Sequence, residues 1–349
     1  MSPADPPTAS RGVLLDVSNV IAETADACSV EFDVPAADRH RFSYAPGQFL
    51  TLRVPSDQTG SVARCYSLAS SPITDSQPKI TVKRTNGGYA SNWICDHVRI
   101  GDRIEALVPA GAFTPTDLDE DVLLIAGGSG ITPVMSILKS VLARGTAHVT
   151  LLYANRDGES IIFQRELREL QAEHSARLTA VHWLESVQGR PSATQLTGLL
   201  APYVDRRSFV CGPAPFMAAV RAALTALSVP RNRIHVEAFN SLTGDPFTSA
   251  ATVDDEGDES GAQVTVHLDG QTHQLRWPQH RSLVDIMLAN GIDVPYSCNE
   301  GECGSCFCRV RAGSVTMDTS AALDAEELAD GYILGCQAHP DSDSLTIEF

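Results

Sequence analysis

The chain of 349 residues is long enough for two or three domains, each with its own hydrophobic core. Its formal net charge is -17 at pH 7, and from residue 241 onward 19 acidic residues face only four basic ones. The acidic end disfavours nucleic acid as a partner. Such an acidic body either speeds docking onto a basic patch of a partner or serves solubility alone.

Neither a signal peptide nor a membrane span is recognisable in the sequence. Residues 1–10 are rich in Pro, Ser and Ala and are predicted to be a disordered tail. The nine cysteines are an odd number and show no disulfide-like arrangement. We therefore expect the protein in a reducing cytoplasm. We also expect it to be monomeric.

Residues 11–113 are predicted to form an antiparallel β-barrel domain. Short alternating or apolar runs are separated by Pro and Gly at intervals typical of a barrel or sandwich. One helix is expected near residues 90–98. The expected strands cover residues 13–17, 29–34, 48–54, 79–84 and 103–108.

Two segments of this domain suggest a flavin site. If Arg64, Tyr66 and Ser67 lie on an extended strand, the first two point the same way, so the guanidinium can bind a phosphate while the phenol packs on a flat ring. Ser67 faces the opposite side. A surface Arg beside a core Tyr is the alternative. The segment from Lys83 to Trp93 has two glycines before a helix start, which suits a pyrophosphate, although a plain hairpin turn is also compatible.

Residues 114–240 are predicted to form an α/β nucleotide-binding domain. Apolar strands alternate with amphipathic helices, which indicates a parallel sheet covered on both faces. The expected strands cover residues 122–126, 148–153, 178–184, 208–211 and 234–239, and the helices 132–144, 163–174, 193–200 and 215–227.

Two turns of this domain suggest a dinucleotide site. Between the first strand and its helix, glycines allow close approach of a dinucleotide, and Thr132 is expected to cap the helix while binding phosphate. A glycine-rich turn without a ligand is the alternative. The second turn puts the Cys211 thiol at the carboxyl edge of the sheet, where an ordinary small core residue is also compatible. The candidate residues are Gly127, Gly128, Gly130, Thr132, Cys211, Gly212 and Pro213.

Residues 241–262 are predicted to be a flexible acidic linker, because Thr, Ser, Gly and acidic residues replace any apolar periodicity. Residues 263–349 are expected to form a small mixed sheet crossed by one helix. Its expected elements are a hairpin at 263–268 and 272–277, helices at 282–290 and 324–329, and strands at 332–338 and 345–349.

Four cysteines of this last domain have the spacing C-x4-C-x2-C followed by x29-C, the plant-type ligand pattern for a [2Fe-2S] cluster: Cys298, Cys303, Cys306 and Cys336. Gly301 and Gly304 allow the tight loop that three neighbouring ligands require, and the fourth ligand is expected on a distant strand. A structural zinc site with four thiolates is the alternative. Cys308 does not fit the spacing and is expected to be a packed thiol.

In this order, the motifs around Arg64, Gly127, Cys211 and Glu237 resemble the ferredoxin-NADP reductase superfamily. With a plant-type ferredoxin at the carboxyl end, residues 11–349 resemble its oxygenase-reductase subgroup. The resemblance implies a multidomain protein with an antiparallel β-barrel flavin domain, an α/β parallel-sheet nucleotide domain and a β-grasp ferredoxin domain. Segments 155–157, 182–189 and 296–304 are most similar to reductases for steroid 9α-hydroxylation, although those for aromatic or phenylacetyl-CoA oxygenation are built alike.

The resemblance also implies roles for particular residues. Ser67, Cys211 and Glu237 surround the hydride path, and Phe239 stacks near the flavin. Because Phe239 is not the end of the chain, its shielding role departs from the superfamily pattern. The implied flavin ligands are Arg64, Tyr66 and Ser67, with Lys83, Gly88, Ala90 and Ser91 toward the pyrophosphate.

The expected function is electron transfer from NADH through FAD and the cluster to a separate Rieske-type terminal oxygenase. FAD is favoured over FMN because the segment before the helix offers a site for a second phosphate. NADPH stays possible, since Arg156 can accept a 2′-phosphate while Asp157 repels one and takes a place in the dinucleotide site. A stand-alone flavin or quinone reductase and a zinc-binding scaffold are the alternatives.

Overall fold

The computed structural model describes residues 12–57, 59–239, 241–242, 244–247, 261–268, 270–292, 294–320, 322–323 and 325–349. The predicted tail at residues 1–10 and most of the predicted linker lie outside the described residues. The described parts form two compact units. One contains residues 13–109 and 113–240, and the other consists mainly of residues 241–349.

An antiparallel sheet of six strands opens the larger unit. Its elements are β1 (Val13–Thr24), β2 (Ala27–Asp33), β3 (Phe49–Ser56), β4 (Gly60–Ser67), β5 (Lys79–Lys83), α1 (Tyr89–His97) and β6 (Arg103–Ala106). The strand order is β4-β3-β6-β1-β2-β5. A bridge between Leu68, just after β4, and Ile80 of β5 joins the two edge strands, so the sheet closes on itself. This confirms the expected flavin-type barrel.

The second sheet of this unit is parallel, as predicted, in the order β11-β10-β7-β8-β9. Its strands are β7 (Val122–Gly127), β8 (Val149–Asn155), β9 (Leu178–Leu184), β10 (Arg207–Cys211) and β11 (Ile234–Glu237). The helices are α2 (Ile131–Arg144), α3 (Gln164–Glu173), α4 (Glu185–Gln188), α5 (Ala193–Leu200) and α6 (Ala214–Ala226).

Strand β7 supplies side chains to cores on both faces of this sheet, which explains its continuous apolar sequence. Leu124 packs in the core with residues of α2 and α3, whereas Leu123 and Ile125 pack in the opposite core with residues of α5 and α6. The longest helix of the described residues, α2, has 14 residues. Within those ranges, no helix combines the length and apolarity that crossing a bilayer requires.

The smaller unit contains a five-stranded mixed sheet in the order β13-β12-β18-β14-β16, with β12 and β18 parallel, and a separate β15-β17 pair. Its strands are β12 (Ala262–Leu268), β13 (Gln271–Trp277), β14 (Phe307–Ala312), β15 (Val315–Met317), β16 (Tyr332–Leu334), β17 (Ala338–Pro340) and β18 (Ser344–Glu348). The helices are α7 (Leu283–Ala289) and α8 (Ala325–Ala329). Trp277 and residues of α7 anchor its core.

The sequence-based prediction of this unit was wrong in three details, one divided strand and two missed strands. The strand expected at 332–338 is divided into β16 and β17, because Gly335–Gln337 forms a turn. Cys336 therefore lies in a turn and not on a strand. Strands β14 and β15 were not among the expected elements, although Arg309, Val310 and Arg311 of β14 alternate with the period of a half-buried strand.

The described start of the predicted linker is packed. Leu242 and Phe247 are buried, and the Asp245 carboxylate accepts a hydrogen bond from the Phe247 amide across 3.0 Å. Residues 243 and 248–260 lie outside the described ranges. The expected flexible linker thus does not begin at residue 241, because two large apolar side chains in this segment gain from burial.

A charged network joins the barrel to the parallel sheet inside the larger unit. The Lys139 side chain on α2 is only 6% exposed, and its Nζ lies 2.5 Å from Asp75 and 2.8 Å from Glu166. Lys79 of β5 also reaches Glu166, at 3.5 Å. Nearby, the Ser136 hydroxyl donates to the Ser70 carbonyl across 2.6 Å. These contacts fix the barrel against the helix that follows β7.

We expect Lys139→Ala to lower the free energy of unfolding by about 2 kcal/mol, since it leaves two carboxylates without their buried cation. The loss stays below that of a fully buried pair because both carboxylates are about 30% exposed. Denaturant unfolding followed by fluorescence measures it. Arg165→Ala is the matched control, because that side chain is 90% exposed and contacts Glu169 only at 3.9 Å. Equal losses in both variants would contradict the prediction.

Candidate functional site

The parallel sheet reverses its strand order at β7. Strand β8 lies on one side of β7 and β10 on the other, so the two chain crossovers run in opposite directions. In open α/β sheets, ligands bind in the crevice outside the carboxyl ends of strands at such a switch point. The two predicted turns lie at the carboxyl ends of β7 and β10, one at residues 127–130 and one at residues 211–213.

The two turns touch each other through their backbones. A Cβ added at Gly130 would lie 2.2 Å from the Cys211 carbonyl oxygen, and one at Gly212 would lie 3.0 Å from the Gly127 Cα. Tyr153 supports the first turn, because its hydroxyl donates to the Gly128 carbonyl across 3.1 Å. Side chains at these glycines would force the turns apart and fill the crevice.

Thr132 does not cap α2, contrary to expectation. The helix begins at Ile131, its N-cap residue is Gly130, and no side chain caps it. Thr132 is buried in the first turn, where its hydroxyl donates to the Ser129 carbonyl across 3.0 Å. The glycine turn enters the helix one residue earlier than the sequence suggested, which draws the threonine inside.

The structure brings Ser67, Cys211 and Glu237 together, although they are far apart in sequence. Cys211 and Glu237 are paired neighbours at the ends of β10 and β11. The Ser67 hydroxyl, at the end of β4, donates to a Glu237 carboxylate oxygen across 3.5 Å. The predicted hydride-path residues thus meet where the barrel adjoins the switch point.

The protonation states of this cluster follow from its low exposure to water. Burial raises the pKa of Glu237 to about 8, and the hydrogen bond from Ser67 opposes only part of that rise. Although its side chain is only half-buried by area, protein atoms surround the carboxylate closely. Burial, with the neighbouring Glu237 charge, raises the pKa of the Cys211 thiol. At neutral pH the thiol and most of the carboxyl are therefore uncharged.

The predicted flavin residues of β4 alternate as expected. Arg64 and Tyr66 are half-buried, and Ser67 is buried on the other side of the strand. The Arg64 guanidinium donates to the Ala63 carbonyl across 2.7 Å, and burial raises the pKa of the Tyr66 phenol. Phe239 follows β11 with half of its side chain exposed, so a flat aromatic face is accessible there.

The predicted pyrophosphate segment lies at the start of α1. Gly88 is the N-cap residue, and no side chain caps the helix. The Ser91 hydroxyl accepts from the Thr85 amide across 3.1 Å, which folds the preceding turn against the helix. Ala90 is buried beneath it, and a Cβ at Gly88 would lie 2.8 Å from that of Thr85. The first amides of α1 thus remain without a side-chain cap, as anion binding requires.

Asp26, which the sequence analysis missed, lies between two cations near the first glycine turn. In the turn after β1, its carboxylate lies 2.7 Å from Arg156 and 3.8 Å from Lys83. A Cβ at Gly128 would lie 3.8 Å from the Lys83 Nζ, which places that amine beside the turn. Asp157 accepts hydrogen bonds from the amide and hydroxyl of Ser160. The sequence around Asp26 resembles an ordinary hairpin turn, so it gives no local signal that this carboxylate pairs with Arg156 and Lys83.

A buried amide at the carboxyl end of β8 favours a bound dinucleotide. Asn155 is 6% exposed, and among the described residues its amide atoms meet no partner with good hydrogen-bond geometry, although it lies near the Tyr153 hydroxyl. Buried polar groups are normally satisfied by protein, water or ligand. With the open crevice between the glycine turns, this amide fits a bound nicotinamide dinucleotide.

The four predicted cluster cysteines converge in the smaller unit. Cys298, Cys303 and Cys306 lie in the loop between α7 and β14, and Cys336 lies in the turn before β17. The thiol of Cys298 lies close to those of Cys303 and Cys336, and the thiol of Cys306 lies close to that of Cys336. The four sulfurs therefore form one continuous group.

Backbone amides point at these sulfurs. The Glu300 amide donates to the Cys298 sulfur and the Cys336 amide to the Cys306 sulfur, both across 3.4 Å. The loop needs left-handed backbone at Gly301 (φ 74°) and Gly304 (φ 68°), which glycine adopts without strain. Backbone donors and glycine turns of this kind suit thiolates that carry a negatively charged iron–sulfur group.

The arrangement also bears on the zinc alternative. A C-x4-C-x2-C triplet with one distant cysteine is the plant-type [2Fe-2S] ligand pattern, whereas structural zinc sites usually combine two C-x2-C pairs. Cys308 is buried in the core of β14, where loss of water raises the pKa of its thiol, so it is a packed thiol as expected.

Three family models match successive parts of the chain. Residues 15–114 match the oxidoreductase FAD-binding domain, residues 124–222 the oxidoreductase NAD-binding domain, and residues 266–341 the 2Fe-2S iron-sulfur cluster binding domain. The barrel, the parallel sheet and the cysteine-bearing unit are thus the FAD-, NAD- and [2Fe-2S]-binding parts of an oxidoreductase.

Relatives match the chain from end to end. The ferredoxin reductase component of 3-ketosteroid-9-alpha-monooxygenase from Rhodococcus rhodochrous is 58% identical, over 100% of both chains. A component of 1,2-phenylacetyl-CoA epoxidase from Escherichia coli K12 is 34% identical over 96% of this chain and 97% of that one. Among solved structures, phthalate dioxygenase reductase superposes with a TM-score of 0.56 at 25% identity, over 97% of this chain and 98% of that one.

The order of the three domains, the convergence of the cysteine tetrad and the full-length identity lead to the same assignment. This chain belongs to the oxygenase-reductase family of electron-transfer flavoproteins, among the ferredoxin reductase components of 3-ketosteroid-9-alpha-monooxygenases.

Proposed function

We propose that this reductase takes a hydride from NADH at the Ser67, Cys211 and Glu237 cluster and delivers single electrons to a separate Rieske-type 3-ketosteroid 9α-hydroxylase. The observation that carries the electron path is the meeting of these three residues at the switch point, in a chain that also gathers four thiols. Bound FAD and the [2Fe-2S] cluster supply the conversion of one two-electron donor into two single electrons.

In the proposed flavin site, the chain's residues bind and orient. Arg64 neutralises phosphate, Tyr66 packs on the ring system, and the uncapped amides at the start of α1 hold the pyrophosphate together with Gly88 and Ser91. Lys83 adds a cation beside the first glycine turn. FAD contains a second phosphate that FMN lacks, so a binding site for a pyrophosphate in this segment supports FAD.

In the proposed nicotinamide site, the two glycine turns accept the dinucleotide backbone, and Pro213 after the second turn is the N-cap residue of α6. Glu237 holds a proton at neutral pH, and its contact with Ser67 gives that proton a route toward the flavin edge. The neutral Cys211 thiol closes the other side without adding charge to the hydride path.

The proposed preference for NADH rests on the carboxylates around Arg156. In doubly wound sheets, the ribose 2′ position lies near the end of the second strand of the βαβ unit, here β8. Arg156 is already paired with Asp26 at 2.7 Å, and Asp157 follows it directly. A 2′-phosphate would have to displace Asp26 and lie near a second carboxylate, whereas a hydroxyl would not.

The proposed partner is a steroid hydroxylase because this chain is 58% identical to a ferredoxin reductase component of that system and only 34% identical to the phenylacetyl-CoA epoxidase component. Residues from 241 onward carry 19 acidic and four basic side chains, which supports docking on a basic surface of the oxygenase. A monomeric, cytoplasmic reductase would suit such transient encounters.

Reconstitution tests this function. We expect holo-reductase with purified 3-ketosteroid 9α-hydroxylase to give steroid-dependent NADH oxidation and hydroxylated product, and the phenylacetyl-CoA epoxidase oxygenase to give little. Cys336→Ala should abolish the EPR signal of the reduced cluster and the coupled hydroxylation, while NADH still reduces the flavin, because only the cluster's fourth ligand is lost. Cys308→Ala is the control and should retain both. Full coupling in Cys336→Ala would favour a stand-alone flavin reductase.

Glu237→Gln should remove an ionisation near pH 8 from the rate at which NADH reduces the flavin in stopped-flow experiments. In the wild type the rate should fall above that pH, as the carboxyl loses its proton. In the variant the rate should be flat there and about tenfold lower below pH 8, because the amide cannot supply the carboxyl proton. Glu173→Gln, an exposed carboxylate on α3, is the control and should keep the wild-type profile.

The raised pKa of Glu237 also makes the stability of the folded protein depend on pH. The folded state binds a proton on Glu237 more tightly than the unfolded chain, whose carboxyl titrates near 4.5. Stability should therefore fall as the pH rises from about 4.5 to about 8, and Glu237→Gln should weaken that slope. If the rate of flavin reduction in Glu237→Gln still changed near pH 8, the assignment of that ionisation to Glu237 would be contradicted.

Asp26→Asn should raise kcat/KM for NADPH by about tenfold while changing that for NADH little, because it frees Arg156 and removes one negative charge near the 2′ position. Steady-state assays with both nucleotides and an artificial acceptor measure the ratio. Asp16→Asn, an exposed carboxylate of β1, is the charge-matched control. An unchanged ratio in Asp26→Asn would contradict the proposed discrimination.

A further inference from the structure

Two thiols of the flavin barrel face each other outside the site described above. Cys28 lies on β2 and Cys95 on α1, and their sulfurs are 3.3 Å apart. Both side chains are half-buried, so small solutes have access to the pair. The electron path uses neither residue. They are separated by 67 positions in sequence, so only the fold brings them together.

The surroundings make one thiol the better nucleophile. The Cys28 thiol donates its hydrogen to the Cys95 sulfur, and with the Arg84 charge nearby this lowers the pKa of Cys95. Arg84 is held in place by Asp96, at 2.7 Å. The partner thiol is the proton donor, and the same hydrogen bond together with burial raises the pKa of Cys28.

We propose that Cys28 and Cys95 are a peroxide-responsive pair that forms a disulfide between β2 and α1. The Cys95 thiolate attacks hydrogen peroxide, which breaks the O–O bond and gives a sulfenic acid, with hydroxide leaving and becoming water on protonation. The Cys28 thiol then attacks that sulfur and releases a second water. In sum, two thiols lose two electrons and two protons, and one peroxide becomes two waters.

The geometry requires little movement. A disulfide needs its sulfurs about 2 Å apart, so the pair must close by about 1 Å. Strand β2 is held by β1 and β5 on either side, whereas α1 is a nine-residue helix that packs against β5 and β3. The helix is therefore the element that moves and becomes fixed.

The consequence concerns the first turn of α1, which carries Gly88, Ala90 and Ser91. A cross-link through Cys95 ties this helix to the barrel and suppresses its local opening. Slower loss of the flavin from this turn is the expected result, and this result rests on the proposed function, because it requires the pyrophosphate to lie at the turn. Formation of the disulfide itself does not depend on that assignment.

Peptide mapping of the holoenzyme tests the pair directly. Trypsin releases each thiol in a peptide with a single cysteine, residues 12–39 for Cys28 and residues 85–99 for Cys95. After stoichiometric hydrogen peroxide and alkylation, we expect these two peptides joined, with a mass two hydrogens lower, and separated again by dithiothreitol. Cys65, another half-buried thiol of the barrel, should still be free to react with the alkylating agent after the peroxide treatment, and it serves as the internal control. The visible spectrum of the cluster confirms that its ligands survive the treatment.

Single variants separate the two steps. Cys28→Ser should leave Cys95 as a sulfenic acid that dimedone traps, and Cys95→Ser should give neither disulfide nor trapped adduct on Cys28. Both thiols remaining alkylatable in the wild type, or Cys28 reacting first, would overturn the proposal. Hydrogen exchange of residues 89–98 should slow by at least about tenfold in the oxidised protein. Unchanged exchange would overturn the link to α1, whether or not flavin binds there.

Discussion

The backbone contact between the two glycine turns at the switch point determines the geometry of the hydride site. Gly130 and Gly212 leave no room for a side chain, so the ends of β7 and β10 come together as bare backbone. Because β11 pairs with β10 in parallel register, Glu237 lies beside Cys211. Only then does Ser67 of the barrel reach the carboxylate. A larger residue in either turn would shift all three groups relative to the dinucleotide.

Electrostatics in the larger unit follow from what the fold buries and what it leaves accessible. Loss of water keeps Glu237 mostly neutral near pH 7. Asp26 stays ionised, because the hydrogen bond from the Thr24 hydroxyl and the charges of Lys83 and Arg156 outweigh its partial burial and lower its pKa. The hydride site therefore keeps little charge, and the region expected to receive the ribose keeps a cation that is already paired. Both features suit a dinucleotide without an additional phosphate.

The smaller unit brings four thiolates together, and the repulsion between their negative charges must be offset. The group is served by backbone amides from Glu300 and Cys336, and left-handed glycines turn the loop so that these amides point inward. Trp277 and helix α7 supply a core beneath the loop, so the ligands are held by packed elements and not by the metal alone. The fourth ligand enters from a turn, which lets its own amide donate to a neighbouring sulfur.

The sequence alone determined the domain order, most strands and helices, the glycine turns and the four cluster cysteines, because each follows from local periodicity or fixed spacing. It could not reveal that Thr132 lies inside α2, that residues 335–337 form a turn, or that Leu242 and Phe247 are buried. Only the tertiary structure brought Asp26 to Arg156, and Cys28 to Cys95. Such contacts join residues more than 60 positions apart, and no local pattern encodes them, since they arise when separate elements pack.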